Sequence, residues 1–327
     1  MFLAGGQRPP GHGLPLKFDG TLEYTMKLAA TLLAILTLTT SVALSQDKTP
    51  PPGITYEPDI VYGKTGDTEL KLDMARPEKL DKSVPCIVVI HGGAWRGGNK
   101  SIHVGGPYPG IYDFAKEGYV SVTVGYRLIP KGIFPDQVED VKCAVRFLRA
   151  NAEKFHIDPK RFGAIGFSAG AHLSMMLGTM DKEDGLEGDS GNPDQSSKVQ
   201  AVVAYFGPTD MTADDIPERS VPLVTDFIGG SKADKLADWK RASPITYVTS
   251  GDAPTLIFQG TKDPLVPHTQ ATKYADALTA AGVPGRIELL IGAGHGWVGK
   301  DLERTKQQHM EFFGEQLKHE GAGANGM

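Results

Sequence analysis

The stretch Gly163–Met176, GAIGFSAGAHLSMM, decides how the rest of the chain is to be read. It follows an apolar, strand-like run, RFGAIGF (161–167), and passes through Ser168, flanked by Gly166 and Gly170, into the helix-like AGAHLSMMLGTM. A GxSxG pattern between strand and helix holds a serine hydroxyl exposed on a sharp turn. The next amide, that of Ala169, then lies at a helix N-terminus where it can donate to an oxyanion. A structural serine in a tight turn would share these local features, and a chain with 40 glycines meets the pattern by chance. Context has to separate the two.

Outward from Ser168, short β-rich runs alternate with helical patterns, which predicts a mostly parallel sheet of about eight strands with helices on both faces. DIVYG (59–63) and TELKLDMARP (68–77) form two strands joined at Gly66-Asp67. PCIVVIHGG (85–93) is almost continuously apolar, as the interior of a parallel sheet requires, and YVSVTVGYRL (119–128) follows. Val138, Val141, Ala144, Val145 and Leu148 recur at helical spacing and predict a helix packed on the sheet. After the serine come the strands VQAVVAYFG, PTLIFQG and RIELLIGAG, with a helix over TQATKYADALTAAG ending at Gly282 and a terminal helix over LERTKQQHMEFFGEQLK. Between about 207 and 241 the alternation stops, which predicts an insertion outside the core that caps or shapes a site.

A serine nucleophile needs a base, a carboxylate to orient the base, and donors for the oxyanion. HGGAWRGG (91–98) directly follows a strand, and small residues there let the amides of Gly93 and Ala94, with that of Ala169, approach a substrate oxygen. The loop lacks the Lys-Ser/Thr ending of a phosphate cradle, although a plain Gly-rich turn would read alike. Asp263 follows PTLIFQG and His295 follows RIELLIGAG, so acid and base fall past strand ends in the order Ser, Asp, His. Asp252 precedes its strand and is placed at the wrong edge of the sheet. His268 begins a helix at the pocket rim, and His172, one turn past the serine, reads as a packed residue. Trp95 and Trp297 neighbour the glycine loop and His295, and are candidates for a substrate-facing wall or for ordinary aromatic packing.

Together, GFSAG, HGGAW, YRL (126–128), FPDQVEDV, Asp263 and His295 resemble the α/β-hydrolases of the esterase/lipase group, most closely acetyl esterases and the feruloyl and acetyl-xylan esterases. The resemblance spans roughly Tyr56 to Lys318. It implies an α/β-hydrolase fold with a short cap, a Ser168–His295–Asp263 triad, no cofactor, and removal of short acyl or feruloyl groups from polysaccharide or small esters. The chain departs from the pattern at Ala94, where many relatives have a third glycine. An alanine amide serves as well provided its φ is negative. Arg127 with Glu139 and Asp140 reads as an ion pair bracing a loop. Two rivals stay open: a prolyl-oligopeptidase-like exopeptidase, which shares the triad order, and a silent hydrolase scaffold used for binding.

Composition narrows the partners. A net charge of −5 lacks the basic excess that nucleic acid or an anionic membrane would need. From Met26 the chain reads as a signal peptide: a basic residue, an apolar stretch over 28–44, then the small-x-small pattern Ala43-Leu44-Ser45. The expected organisation is an extension over 1–25, a signal peptide over 26–45, a linker over 46–55, the hydrolase domain over 56–320 and a tail over 321–327. The mature protein is then secreted or periplasmic, with no membrane attachment. Export permits a disulfide between Cys86 and Cys143, but their apolar settings read as buried small hydrophobes. No CxxC, HExxH or clustered His/Cys pattern suggests a metal.

Overall fold

Strands that are apolar at every position can only be stable covered on both faces, and the chain stacks them side by side. The computed structural model describes residues 48–106 and 108–318. Eight strands form one sheet: β1 (Ile54–Thr65), β2 (Thr68–Pro77), β3 (Val84–Ile90), β4 (Val120–Val124), β5 (Ile157–Phe167), β6 (Ala201–Tyr205), β7 (Thr255–Gly260) and β8 (Gly285–Leu290). Their order is β1-β2-β4-β3-β5-β6-β7-β8. β4 through β8 run parallel, while β1 and β2 form an antiparallel hairpin at one edge. This is the mostly parallel α/β-hydrolase sheet that the sequence predicts.

The period of two along each strand divides the core in two. Cys86, Val88 and Ile90 of β3 face a cluster shared with α2 (Asp136–Ala150), α3 (Ala169–Thr179) and α6 (His268–Ala280). Ile87 and Val89 face the opposite cluster, covered by α1 (Ile111–Lys116) and α7 (Lys300–Phe313). Val138, Val141, Ala144, Val145 and Leu148 of α2 are all fully buried, as their spacing predicts. Cys86 and Cys143 are buried and unpaired, so both act as small apolar side chains.

Three expectations need correction. β1 begins at Ile54, whose side chain is buried, so the strand takes in the last two residues of the expected linker. The six-residue α1 was not anticipated, because so short a segment shows little periodicity. The insertion over 207–241 holds α4 (Val221–Ile228) and α5 (Leu236–Arg241), and it is not wholly outside the core: Val224, Phe227, Ile228 and Trp239 are buried within the α2/α3/α6 cluster. The expected extension, signal peptide and tail lie outside the described residues, as do the first two residues of the linker.

Candidate active site

Ser168 stands where β5 turns into α3, with φ 53° and ψ −117°, a backbone state that a non-glycine residue holds only under constraint. Its neighbours show the constraint. A Cβ on Gly166 would lie 2.1 Å from the Gly170 carbonyl oxygen, and one on Gly170 would lie 2.1 Å from that of Ile90. Both glycines are therefore required by the closeness of the backbone, and the pentapeptide is a strand-to-helix elbow rather than a loose turn. Ser168 N–H donates to the Tyr205 carbonyl at 2.9 Å, tying the elbow to β6.

His295 and Asp263 converge on it. The His295 loop and the end of β7 pack so closely that a Cβ on Gly260 would meet the Gly294 oxygen at 2.2 Å. His295 Nε2 lies 2.9 Å from Ser168 Oγ, and His295 Nδ1 lies 2.7 Å from Asp263 Oδ2. An ionised carboxylate only accepts, so Nδ1 carries the proton and the Nε2 lone pair faces the serine hydroxyl. Asp263 is buried, and burial alone pushes its carboxyl up. The hydrogen bonds from His295 and from the Val266 and Leu265 amides, at 3.0 and 2.8 Å to Oδ1, outweigh that and hold it below the ordinary range. Gln259 Nε2 donates to Asp263 Oδ2 at 3.0 Å. The three residues thus form an unbroken chain from an anion to a hydroxyl.

Gly93, Ala94 and Ala169 line the cavity that Ser168 faces, and among the described residues their N–H groups donate to no backbone carbonyl in a turn or loop. Ala94 does not take the negative φ expected of it: Gly93, Ala94 and Trp95 have φ values of 113°, 51° and 57°. The left-handed state costs an L-residue about 1–2 kcal/mol, so other contacts must hold it. Arg96 N–H and Gly97 N–H both donate to the Gly93 carbonyl, and Ile129 N–H donates to that of Trp95 at 2.9 Å. The Trp95 ring stacks on Phe227 at 4.1 Å and its N–H donates to His172 Nδ1.

The remaining candidates separate. Trp95 lines the cavity although it is itself largely buried. Trp297 does not; it donates to Thr305 Oγ1 at 3.0 Å and packs against Tyr205 and Phe206, so its role is support from behind. His172 is packed, its Nε2 2.7 Å from the Ala242 carbonyl, and burial lowers its pKa to about 4. His268 begins α6 and is exposed, and it is not itself among the residues that line the cavity. Asp252 accepts from Thr249 in its own loop. Arg127 binds Asp140 through Nε and a terminal nitrogen and pairs with Asp136, bracing the loop after β4 as expected, with Glu139 at 3.9 Å.

Several contributors were not legible in the sequence. Gln259 is one. Phe206, with φ 44°, packs its ring 4.7 Å from that of His295. Tyr126 donates to the His91 carbonyl at 2.9 Å and stacks on the His91 ring, fixing the start of the glycine loop. The cavity itself holds about 550 Å³, within the range of small-molecule sites. One wall is Met211, Ile216, Leu223 and Val224 of the insertion, and another is Ile102, Tyr108 and Phe167. Among the described residues no three His, Cys, Asp or Glu side chains converge as a metal site.

Comparison with known proteins bears on the family and the fold. Residues 72–278 match the BD-FAE family. Esterase LipQ of Mycobacterium tuberculosis is 31% identical over 227 residues, covering 68% of this chain and 53% of that protein. The chain therefore spans about half the length of that relative. A solved structure described as a truncated form of a carbohydrate esterase from gut microbiota superposes with a TM-score of 0.72 at 26% identity, over 83% of this chain and 99% of that one. A bifunctional GH43-CE protein of Bacteroides eggerthii gives 0.70 at 32% identity, over 80% of this chain and 38% of that one.

Proposed function

The chain belongs to the BD-FAE family of esterase/lipase-type α/β-hydrolases, and from that premise we propose that it is a carboxylic ester hydrolase acting through Ser168, His295 and Asp263. The observation that carries the reading is the continuous hydrogen-bonded line from Asp263 through His295 to Ser168 Oγ, at 2.7 and 2.9 Å.

Ser168 Oγ attacks the ester carbonyl carbon as its proton passes to His295 Nε2. The carbonyl oxygen becomes an oxyanion held by the amides of Gly93, Ala94 and Ala169. Asp263 stabilises the imidazolium and keeps the ring oriented. Collapse breaks the ester C–O bond, and the His295 proton goes to the departing alcohol oxygen, leaving an acyl group on Ser168. Water then attacks the acyl carbon, gives a proton to His295, and the acid leaves as Ser168 regains its proton.

We take the substrate to be an acetyl or feruloyl ester of a polysaccharide or a small alcohol. The support is associational: two structural neighbours are described as carbohydrate esterase or GH43-CE. Export through the segment 26–45 would place the enzyme outside the cytoplasm with such substrates.

The test compares the protein with Ser168→Ala on p-nitrophenyl acetate and butyrate, acetylated xylan and methyl ferulate, with labelling by a fluorophosphonate. We expect turnover and labelling of the parent. Ser168→Ala should lose both, by at least about a thousandfold in rate, with an unchanged melting temperature. A Ser168→Ala protein as active as its parent sinks the mechanism. Labelling without turnover on any ester leaves an activated serine and directs attention to peptides.

A further inference from the structure

The cavity beside Ser168 is built mainly from apolar walls, and Asp210 is the only Asp, Glu, Lys or Arg among the described residues that line it. A lone carboxylate there is expensive unless something binds it. Its side chain is half satisfied. Oδ1 accepts from Thr212 N–H at 2.8 Å and Thr212 Oγ1 at 2.7 Å. Among the described residues Oδ2 has no partner, and no cation pairs with Asp210. Lys232, which reaches the Thr212 carbonyl, pairs instead with Asp214.

The backbone that presents this carboxylate is held with unusual thoroughness. Gln270, buried on α6, accepts from Thr209 N–H and Asp210 N–H at 2.8 Å each through Oε1. Its Nε2 donates to the Asp210 carbonyl at 3.1 Å, and Thr209 Oγ1 donates to the Gln270 carbonyl at 2.8 Å. Met211 N–H donates to Ser243 Oγ at 2.8 Å. Both peptide groups of Asp210 are thus fixed by side chains the sequence places far away. A rigid frame under one free polar atom is how a binding residue is preorganised.

The free atom is an acceptor, and one further hydroxyl of the lining offers only lone pairs. Ser220 Oγ, also on the cavity wall, gives its proton to the Leu265 carbonyl at 2.8 Å and keeps only lone pairs to offer. The donors gather at Ser168, where the amides of the glycine loop and Ala169 await an oxyanion. The cavity therefore complements a molecule that brings an ester oxygen to one place and a hydrogen-bond donor to another. A hydroxyl suits the second place better than an ammonium ion. A cation would leave its hydration shell for a largely apolar wall with one carboxylate whose charge Thr212 already shares.

We infer that Asp210 is a specificity-determining residue whose free carboxylate oxygen accepts a hydrogen bond from a free hydroxyl of the ester substrate, so that the site favours partly acylated sugars over esters without a hydroxyl. The inference rests on the ester-hydrolase reading above.

The experiment measures kcat/KM for a monoacetylated methyl xylopyranoside, its fully acetylated counterpart, p-nitrophenyl acetate and acetylcholine. The parent is compared with Asp210→Ala and Asp210→Asn. The ratio of the monoacetylated sugar to p-nitrophenyl acetate should fall about tenfold to a hundredfold in Asp210→Ala, the worth of one hydrogen bond to a charged acceptor. It should fall in Asp210→Asn as well, because the amide oxygen stays with the two Thr212 donors and the NH2 group takes the free position, where it cannot accept. The preference for the monoacetylated over the fully acetylated sugar should shrink in parallel. Because each ratio is taken within one preparation, it does not depend on how much of a variant folds, and Asp210→Asn keeps the size of the side chain should Asp210→Ala fail to fold. Unchanged ratios in both variants overturn the inference, and a selective loss on acetylcholine alone replaces it with a cation site. A parent inactive on every ester sinks the ester-hydrolase reading and this inference with it, whereas an active parent with unchanged ratios sinks only the inference.

Discussion

Asp263 accepts four hydrogen bonds, two from backbone amides, one from His295 and one from Gln259. Gln259 is fully buried on β7, and its second amide proton goes to the Val266 carbonyl at 2.9 Å, which closes the turn that carries Asp263. Its own Oε1 is buried with no partner among the described residues. An orphaned oxygen of that kind costs about 1–3 kcal/mol, so the residue is held for its two donors. Gln259→Leu should lower kcat/KM about tenfold, as one donor to a charged acceptor is lost. It should also move the acidic limb of the pH–rate profile upward, since the Asp263 carboxyl then loses ionised-state stabilisation. Stability should change little, because the unpaired oxygen leaves with the donors. A Leu variant with the parent's kcat/KM and profile would show that the amides of Leu265 and Val266 suffice.

At the scale of elements, the insertion and the glycine loop are one device. Phe227 of α4 stacks on Trp95, Asp226 pairs with Arg96, and Phe134 N–H donates to the Phe227 carbonyl at 2.8 Å. The left-handed run at Ala94 and Trp95 is held partly by this helix. Phe227→Ala should therefore do two things: destabilise by about 3–5 kcal/mol through the cavity left in the core, and reduce kcat at temperatures where the protein is still folded. Thermal melts and rates measured well below the transition separate the two. A destabilised variant with full kcat would mean the loop keeps its shape without α4. The same contact shows where reading the sequence stops. β3, β6, β7 and the Phe162–Phe167 half of β5 were legible because strands buried on both faces are almost wholly apolar, and α2 because five side chains repeat at its period. Ser168, Asp263 and His295 were legible because each follows a strand end, where backbone topology alone brings them within hydrogen-bond reach. The φ of Ala94, the inward packing of Trp297, the clamp of Gln270 on Asp210 and the donor on Gln259 depend on partners distant in the chain. No local pattern marks a glutamine in a strand as different from any other.

Among the described residues, four histidines are buried around the sheet. His91, His103 and His172 have their pKa lowered by burial to about 4, and that of His309 is lowered to about 3. All four are neutral when folded. His309 is the most constrained: Tyr205 Oη gives its proton to the Thr305 carbonyl, so His309 Nδ1 donates to Tyr205, and Nε2 lies buried without a partner among the described residues. In the unfolded chain each titrates near 6.5. Their contribution to stability is therefore complete above about pH 6.5 and is lost as the pH falls toward 4, because the unfolded state takes up protons that the folded state refuses. Four such groups give a slope of up to about 5 kcal/mol per pH unit in the middle of that window, at 1.36 kcal/mol per proton. Glu139, Asp140 and Asp252, whose carboxyls burial pushes up, act in the opposite sense and make the fall shallower. The melting temperature should accordingly be flat between about pH 7 and 8 and fall steeply between about 6 and 5, before most carboxylates begin to protonate. Calorimetry across that range checks it. A melting temperature unchanged down to pH 5 would mean that these imidazoles take up protons in place, and that the sheet faces they occupy are open to water.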